Sequence, residues 1–229
     1  MRKIEKKIRA AVLFSGGKDS CLALFKAREL GLDLRYLLSI VPENEDSFMF
    51  HKPNIDVIKK QAEMLSISLI IQKSKGEKDK ELKDLETLIK KVKGKVDALV
   101  IGGIASNYQG IRIKKIAEGI GLKVLVPLWD YTPEKVWKEL IENKFEVVIT
   151  KISCEGLSKK FIGKLIRNKE YKEISGLGKK YGFRTDFEGG EAETLILWMP
   201  GFKKSIKLIF DSVSEGEHRH FMLIKNISI

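Results

Sequence analysis

Cysteine, proline and long apolar runs are scarce in this chain of 229 residues. Its 2 cysteines, Cys21 and Cys154, lie far apart in sequence and form no CxxC pair, so neither a disulfide framework nor a zinc knuckle is indicated. No run of about 18 apolar residues occurs and no signal-peptide pattern opens the chain, so we expect neither a membrane span nor secretion. These absences favour a soluble, cytoplasmic protein.

Positive charge is what the chain has in excess. It carries 43 Lys and Arg against 31 Asp and Glu, which gives a formal net charge of +12. Such a balance favours an acidic or polyanionic partner. However, abundant Lys and Glu with few Cys are also typical of a thermophilic protein surface. The charge therefore leaves nucleic acid open as a partner without naming it, and the sequence also leaves a homo-oligomer open.

The first 126 residues alternate between strand-like and helix-like segments. The predicted strands are Ala10–Phe14, Tyr36–Val41, Ser68–Ile71, Ala98–Ile101 and Lys123–Val126. The predicted helices are Ser20–Leu30, Asn54–Leu65, Lys80–Val92 and Ile111–Ile120. Such alternation implies right-handed βαβ units and a parallel sheet covered on both faces. The sequence thus predicts an α/β fold with a doubly wound, Rossmann-like parallel sheet.

The pattern changes near Pro127 and Pro133, where we predict a domain boundary. A nucleotide-binding domain would occupy residues 1–128, and a smaller α+β domain would occupy 129–229. Its predicted elements are a helix at about Pro133–Asn143, a strand at about Phe145–Ile152, short helices between Ser158 and Lys180, and strands at about Glu193–Trp198, Ser205–Phe210 and Phe221–Asn226.

The segment SGGKDS (Ser15–Ser20) follows the first predicted strand and opens the first predicted helix. Parallel sheets bind ligands at the carboxyl ends of their strands, and anions favour helix N-termini. Gly16 and Gly17 let successive N–H groups converge on an anion, and Lys18 adds a positive charge on a loop that we expect to be exposed. Asp19 suits such a site if it holds Mg²⁺ or orients the loop. We predict a phosphate-binding loop; the alternative is a tight Gly-Gly turn.

This loop lacks the Walker A pattern and resembles the SGGxDS signature of the N-type ATP pyrophosphatases, or PP-loop enzymes. Members of that superfamily have a HUP-type domain and cut ATP between its α- and β-phosphates. They hold the departing pyrophosphate in this loop while a substrate oxygen becomes adenylated. The resemblance implies the same use of ATP here.

Further stretches narrow the resemblance to one family. They are MFHKPN (Met49–Asn54), SNYQGIR (Ser106–Arg112), PLW (Pro127–Trp129) and EGGEAET (Glu188–Thr194). With SGGKDS they are similar, in order and spacing, to the diphthine–ammonia ligase family. Members convert a carboxylate on a modified histidine of translation elongation factor 2 to an amide, using ATP and ammonia.

The resemblance implies a set of site residues. The catalytic candidates are Lys18, Asp19, Glu188, Glu191 and Glu193. The nucleotide-binding candidates are Ser15, Gly16, Gly17, Lys18, Asp19, Ser20, Ile40, His51, Gly102 and Gly103. The substrate-binding candidates are Ser106, Tyr108, Gln109, Arg112, Gly189, Gly190 and Thr194. The implied cofactors are ATP and Mg²⁺, with Asp19 as the metal ligand, and the implied partners are diphthine-modified elongation factor 2 and ammonia.

Simpler roles are open for several of these residues. Three glutamates around two glycines in EGGEAET are expected to hold a cation, ammonium or Mg²⁺, because like charges raise one another's pKa. A carboxylate with a raised pKa could accept the proton that ammonium must lose. The alternative is a solvated acidic turn. His51 could belong to a loop that Asn54 ends as a helix N-cap, and Arg112 could be an ordinary surface cation.

Two departures from the family pattern concern substrate choice. The family usually has a glycine just before the first glutamate of EGGEAET and a histidine three residues before that glycine. Here those positions hold Phe187 and Arg184.

Two rival functions stay open. The first is a tRNA-modifying enzyme that uses the same loop, which the basic charge suits although the absence of CxxC pairs opposes the thiolating type. The second is a non-enzymatic nucleotide sensor.

Overall fold

A five-stranded parallel sheet with the order β3-β2-β1-β4-β5 forms the first part of the fold. The structure is a computed structural model that describes residues 7–42, 55–74, 78–103 and 107–229. The strands are β1 (Arg9–Leu13), β2 (Asp33–Pro42), β3 (Ser68–Ser74), β4 (Ala98–Val100) and β5 (Lys123–Leu125). The helices of this part are α1 (Lys18–Glu29), α2 (Ile55–Leu65), α3 (Lys78–Lys90) and α4 (Asn107–Gly119).

The central strand β1 is buried on both faces. Ala10 and Val12 face one apolar cluster, which includes side chains of α1 and α2, while Ala11 faces another, which includes side chains of α3. All three are 0% exposed. This explains why β1 has a continuous apolar sequence instead of an alternating one.

The strand order reverses at β1, which pairs with β2 on one side and with β4 on the other. In open parallel sheets, ligands bind outside the carboxyl ends of the strands at such a switch point. The fold therefore places the loop after β1 and the loop after β4 side by side at the favoured position for a ligand.

A four-stranded antiparallel sheet with the order β7-β6-β9-β8 forms the second part. Its strands are β6 (Glu146–Ser153), β7 (Ala192–Trp198), β8 (Lys207–Ser214) and β9 (Arg219–Ser228), and its helices are α5 (Pro133–Glu142) and α6 (Asn168–Tyr181). The two sheets confirm the predicted doubly wound α/β architecture with a smaller α+β part.

One apolar core joins the two sheets. The cluster that contains Ala10 and Val12 of β1 also contains Val147 and Ile149 of β6. Where α1 meets α5, Lys26 forms an ion pair with Glu139 at 2.7 Å. The division into domains 1–128 and 129–229 stays a prediction, because packing alone does not separate the two parts.

Helix α6 is the main difference from the sequence-based elements, which had only short helices between Ser158 and Lys180. It extends over 14 residues, after a separate 3-10 turn at Lys159–Phe161. Its two glycines, Gly176 and Gly178, lower helix propensity and hide this length in the sequence. Burial of Ile174 and the left-handed C-cap at Gly182 stabilise it in the fold.

Among the described residues, no helix is both long enough and apolar enough to span a bilayer.

The contribution of Trp137 on α5 to the stability of this core can be measured by substitution. Its indole is 0% exposed, stacks on Tyr171 with ring centroids 5.4 Å apart, and donates from Nε1 to the backbone oxygen of Thr185 at 2.6 Å. Trp137→Phe should lower the unfolding free energy by about 2 kcal/mol, because it leaves a cavity and removes that hydrogen bond. Urea unfolding followed by circular dichroism measures the change.

Trp129→Phe is the matched control, because Trp129 is 60% exposed. This variant should change the unfolding free energy by less than about 0.5 kcal/mol. Equal losses in the two variants would contradict the packing described for Trp137.

Candidate active site

The loop between β1 and α1 has the backbone of an anion-binding turn. Gly16 has a φ of +77°, a conformation that favours glycine, and Gly17 is the N-cap of α1. The Ser15 and Ser20 hydroxyl oxygens lie 3.2 Å apart, and the Ser20 hydroxyl donates to the Gly17 backbone oxygen at 3.1 Å. The serines thus brace the loop from within.

Strand β7 of the second sheet docks directly on this loop. The Ile196 backbone N–H donates to the Gly16 oxygen at 3.0 Å, and the Lys18 backbone N–H donates to the Thr194 hydroxyl at 3.1 Å. Gly17 provides no side chain to cap α1, so Thr194 of EGGEAET provides a capping hydroxyl from the other sheet. The two sequence motifs therefore meet in one structure.

Lys18 is buried, and the expectation of an exposed loop lysine is wrong. Lys18 is 2% exposed, and its Nζ forms an ion pair with the Asp19 carboxylate at 2.7 Å. The same Nζ lies 5.9 Å from the ring centroid of Phe187. The sequence did not reveal this burial, because Phe187 precedes β7 and lies far from Lys18 along the chain.

A cleft of about 390 Å³ lies outside the carboxyl ends of β1, β2 and β4. Of the predicted nucleotide-binding residues, those that line it are Ser15, Asp19, Ser20, Ile40, Gly102 and Gly103. A smaller cavity of about 140 Å³ shares Asp19, Gly102, Gly103 and Glu188 with this cleft. The two openings together form one groove, with the polar side chains of Asp19 and Glu188 where they meet.

The glycines after β4 allow close approach of α1 on one side and of Glu188 on the other. A Cβ atom at Gly103 would lie 2.2 Å from Oε1 of Glu188, and one at Gly102 would lie 2.8 Å from the Ser20 backbone nitrogen. Any side chain at these positions would displace the loop or Glu188. Gly102 and Gly103 thus permit close packing around the groove.

Glu188 faces Asp19 in the groove. Burial raises the pKa of the Glu188 carboxyl above its ordinary value, and the negative charges of Asp19 and Asp186 raise the pKa further. Lys18 and Arg184 act in the opposite direction. A carboxyl group with a raised pKa is a better proton acceptor than an ordinary one.

The other two glutamates of EGGEAET have separate partners. The Glu191 carboxylate accepts the backbone N–H groups of Arg184 at 3.1 Å and Gly189 at 2.9 Å, so it braces its own turn. Glu193 forms an ion pair with Lys151 of β6 at 3.1 Å. Of the three glutamates, Glu188 is therefore the one that lines the groove.

The two departures from the family pattern form a connected structure. The Arg184 Nε donates to Asp186 at 3.0 Å, and the Asp186 carboxylate is buried, with the residue 4% exposed. Phe187 has a φ of +61°, a left-handed conformation that favours the family's usual glycine. Its ring packs edge-on against Trp137 at 5.9 Å, which offsets the cost of that backbone.

The structure describes some of the remaining predicted residues and not others. His51 and Ser106 lie outside the described residues. Tyr108 and Gln109 lie in the first turn of α4, and the predictions for their side chains likewise fall outside the description. Arg112 lies on α4 and is exposed. Gly189 and Gly190 form the turn before β7, and Gly190 has a φ of +86°.

Three residues of the site were missed by sequence reasoning. Gln61 of α2 contacts the phosphate loop, while Asp186 and Tyr131 line the smaller cavity. Asp186 stands two residues before EGGEAET, so its acidic character could have drawn attention. No local sequence pattern indicates the roles of Gln61 and Tyr131, because these roles depend on contacts between distant parts of the chain.

The groove suits a Mg²⁺ ion that is held mainly by phosphate. Among the described residues, no group of three or more His, Cys, Asp and Glu could hold a metal by itself. Mg²⁺ commonly binds through one or two carboxylates together with substrate phosphates. Asp19 lines the groove and fits this pattern as the single carboxylate.

Comparison with protein families agrees with an α/β protein of two parts, each with its own sheet. The diphthamide synthase N-terminal domain matches residues 8–124, and the diphthamide synthase C-terminal domain matches residues 132–228. The chain belongs to the diphthamide synthase family.

Curated relatives share the same name. The diphthine–ammonia ligase of Homo sapiens is 33% identical over 226 residues, covering 90% of this chain and 84% of that protein. The diphthine–ammonia ligase of Schizosaccharomyces pombe is 35% identical over 222 residues, covering 89% of this chain and 36% of that protein. The chain thus spans most of the human relative and about a third of the fission yeast relative.

Among solved structures, the chain is similar to the U34-tRNA thiolase NcsA from Methanococcus maripaludis. The TM-score is 0.39 at 20% identity, covering 61% of this chain and 59% of that chain. This likeness is too distant to bear on function.

The raised pKa of Glu188 predicts a pH-dependent stability difference. A carboxyl whose folded pKa lies above its unfolded value favours folding below the unfolded pKa, and this contribution disappears as the pH rises through the folded pKa. Glu188→Gln removes the charge and keeps the shape. The variant should therefore gain stability relative to the parent between about pH 4 and about pH 7. Urea unfolding at both pH values measures the difference.

Glu193→Gln is the control for this comparison, because Glu193 is exposed and paired with Lys151. It should show no such gain. If Glu188→Gln also shows none, Glu188 is better solvated than the structure indicates.

Proposed function

We propose that this protein is an ATP-dependent amide ligase that converts the carboxylate of diphthine on translation elongation factor 2 to an amide. It uses ammonia and releases AMP and pyrophosphate. Membership of the diphthamide synthase family supports the reaction. The observation that carries the assignment to this groove is the meeting of the SGGKDS loop with EGGEAET, through the Lys18–Thr194 and Gly16–Ile196 hydrogen bonds.

The first step is adenylation of the substrate. A carboxylate oxygen attacks the α-phosphorus of ATP, the bond to the β-phosphate oxygen breaks, and pyrophosphate leaves with its electron pair. The N-terminal N–H groups of α1 and the glycine-rich turn before it stabilise the charge on pyrophosphate. Lys18 supplies a fixed positive charge beside them, since Asp19 and the ring of Phe187 hold its ammonium in place.

The second step is attack by ammonia on the acyl-adenylate. Ammonium loses one proton to a carboxylate, and ammonia then attacks the acyl carbon. The added nitrogen releases a second proton to solvent, and AMP leaves with the electrons of the broken acyl–oxygen bond. Glu188 is our candidate for the proton acceptor, because it faces the groove and its pKa is raised. Glu191 would support this step indirectly, by bracing the turn that carries Glu188.

Mg²⁺ would be held by Asp19 together with the phosphates of ATP, and when bound it would neutralise phosphate charge. The protein's own residues orient the nucleotide, exclude water and move the proton. The loop hydroxyls of Ser15 and Ser20 are already positioned by their mutual contact at 3.2 Å. Little rearrangement is therefore needed to form the phosphate site.

Roles at the protein-substrate side stay predictions. Ser106, Tyr108, Gln109 and Arg112 would contact elongation factor 2 or its modified histidine, and Glu193 would serve the substrate through the sheet surface that it shares with Lys151. The cytoplasmic location, a homo-oligomer and heat adaptation also stay predictions. The relatives reported above are named as ligases, which favours amide formation over tRNA modification or nucleotide sensing.

Incubation with ATP, Mg²⁺, ammonium and elongation factor 2 bearing diphthine tests the function. Mass measurement of the factor should show conversion of the carboxyl to an amide, and the nucleotide product should be AMP. Production of ADP and phosphate under turnover would contradict the PP-loop chemistry.

The proton acceptor has its own test. Glu188→Gln should lower amide formation by about 10²-fold, because a carboxamide cannot accept the proton of ammonium. ATP–pyrophosphate exchange in the presence of the protein substrate should fall much less, since adenylation precedes the proton transfer. Glu142→Gln is the matched control, because the Glu142 side chain on α5 is 63% exposed and pairs with Lys138. It should keep amide formation within about threefold of the parent. Parental amide formation by Glu188→Gln would contradict the role of Glu188.

A further inference from the structure

Gln61 of α2 links the phosphate loop to the second sheet. It is 0% exposed, although glutamine is a polar residue that normally lies at the surface. Its side-chain Nε2 donates to the Gly16 backbone oxygen at 3.0 Å and to the Ile196 backbone oxygen at 2.7 Å. A glutamine amide has two N–H donors, so both are used. One side chain thus binds the loop and strand β7 at once.

These contacts fix the direction of one peptide unit in the loop. The Gly16 oxygen accepts two hydrogen bonds, from Gln61 and from the Ile196 backbone N–H at 3.0 Å. In a trans peptide unit, the C=O and the next N–H point in opposite directions. Holding the Gly16 oxygen against α2 and β7 therefore turns the Gly17 N–H away from them.

The Gly17 N–H lies 3.4 Å from the Ser15 hydroxyl oxygen, a distance at the outer limit of a hydrogen bond. Such a weak internal contact can be exchanged for a phosphate oxygen at little cost. The loop is thus held with a donor available for an anion.

Packing alone does not explain a glutamine at this position. Among the described residues, the Gln61 side-chain oxygen is buried without a hydrogen-bond partner. A buried acceptor without a partner destabilises a fold, and an apolar side chain of similar length would not bring that acceptor into the core. The benefit of Gln61 therefore comes from its two donors.

We propose that Gln61 is a positioning residue that sets the orientation of the phosphate loop for nucleotide binding and joins that loop to the second sheet. The proposal rests on the nucleotide-binding role proposed above for the loop. It assigns Gln61 no contact with the nucleotide, because its amide hydrogens are both donated to backbone oxygens.

The test compares nucleotide affinity with stability in two variants. Gln61→Glu keeps the shape but turns a carboxylate toward two carbonyl oxygens, and Gln61→Met keeps the length and removes both donors. Calorimetry measures the dissociation constant of α,β-methylene ATP, which cannot be cleaved at the α–β position. Urea unfolding measures the midpoint of the same samples.

Gln72→Glu is the matched control. Gln72 lies on β3, where its side-chain oxygen accepts from Lys91, away from the phosphate loop. We expect both Gln61 variants to bind the analogue at least tenfold more weakly than the parent, and Gln72→Glu to bind it within twofold. We also expect Gln61→Met to fold with a lower urea midpoint, because the buried Ile196 oxygen loses its donor. A tenfold loss of affinity in samples that are fully folded without urea is the result that a merely structural residue would not give.

Several outcomes would overturn the proposal. A folded Gln61→Met with parental affinity would do so, and so would a lowered urea midpoint without a loss of affinity. If neither variant folds, Gln61 is structural and the proposal is wrong. If the parent binds the analogue but forms no amide, the proposed function fails while the comparison of affinities still decides the role of Gln61.

Discussion

The backbone oxygen of Gly16 is where the two halves of this protein are held together at the site. It accepts N–H groups from Ile196 on β7 and from Gln61 on α2, and the neighbouring Lys18 N–H donates to Thr194. Because these bonds are buried between the sheets, breaking them would leave polar groups without partners. The phosphate loop therefore cannot move independently of β7. Any residue carried by the turn before β7 therefore has a fixed position relative to this loop.

The docking of β7 on this loop also determines which charges meet in the groove. Asp19 is at the start of α1 and Glu188 lies just before β7, so docking the strand on the loop brings two carboxylates to one cavity. Lys18 offsets part of their repulsion from a buried position, and burial raises the pKa of Glu188. The resulting site has a buried cation beside the loop and a carboxyl whose pKa is raised. Both properties are required by an adenylation that is followed by amide formation.

Local patterns in the sequence predicted most of the fold, because apolar periodicity and turn residues are read over a few neighbours. They placed β1 through β5 and the loop Ser15–Ser20 with small errors at the ends. They could not rank the three glutamates of EGGEAET, which share one residue type and differ in their partners across the fold. The role of Gln61 could not be predicted for the same reason, since its hydrogen-bond partners, Gly16 and Ile196, lie 45 and 135 positions away in the sequence. Burial of Lys18 likewise depends on Phe187, far along the chain.

We propose that the groove transfers the AMP moiety of ATP to a carboxylate of the protein substrate. Labelling the diphthine carboxylate with oxygen-18 tests it most directly, because the oxygen that attacks the α-phosphorus stays with phosphorus when ammonia displaces AMP. After turnover with ATP and ammonium, mass spectrometry of the nucleotide product should find AMP that carries the heavy oxygen in its phosphate. Unlabelled AMP alongside labelled inorganic phosphate or labelled pyrophosphate would contradict adenylation and the account of the site.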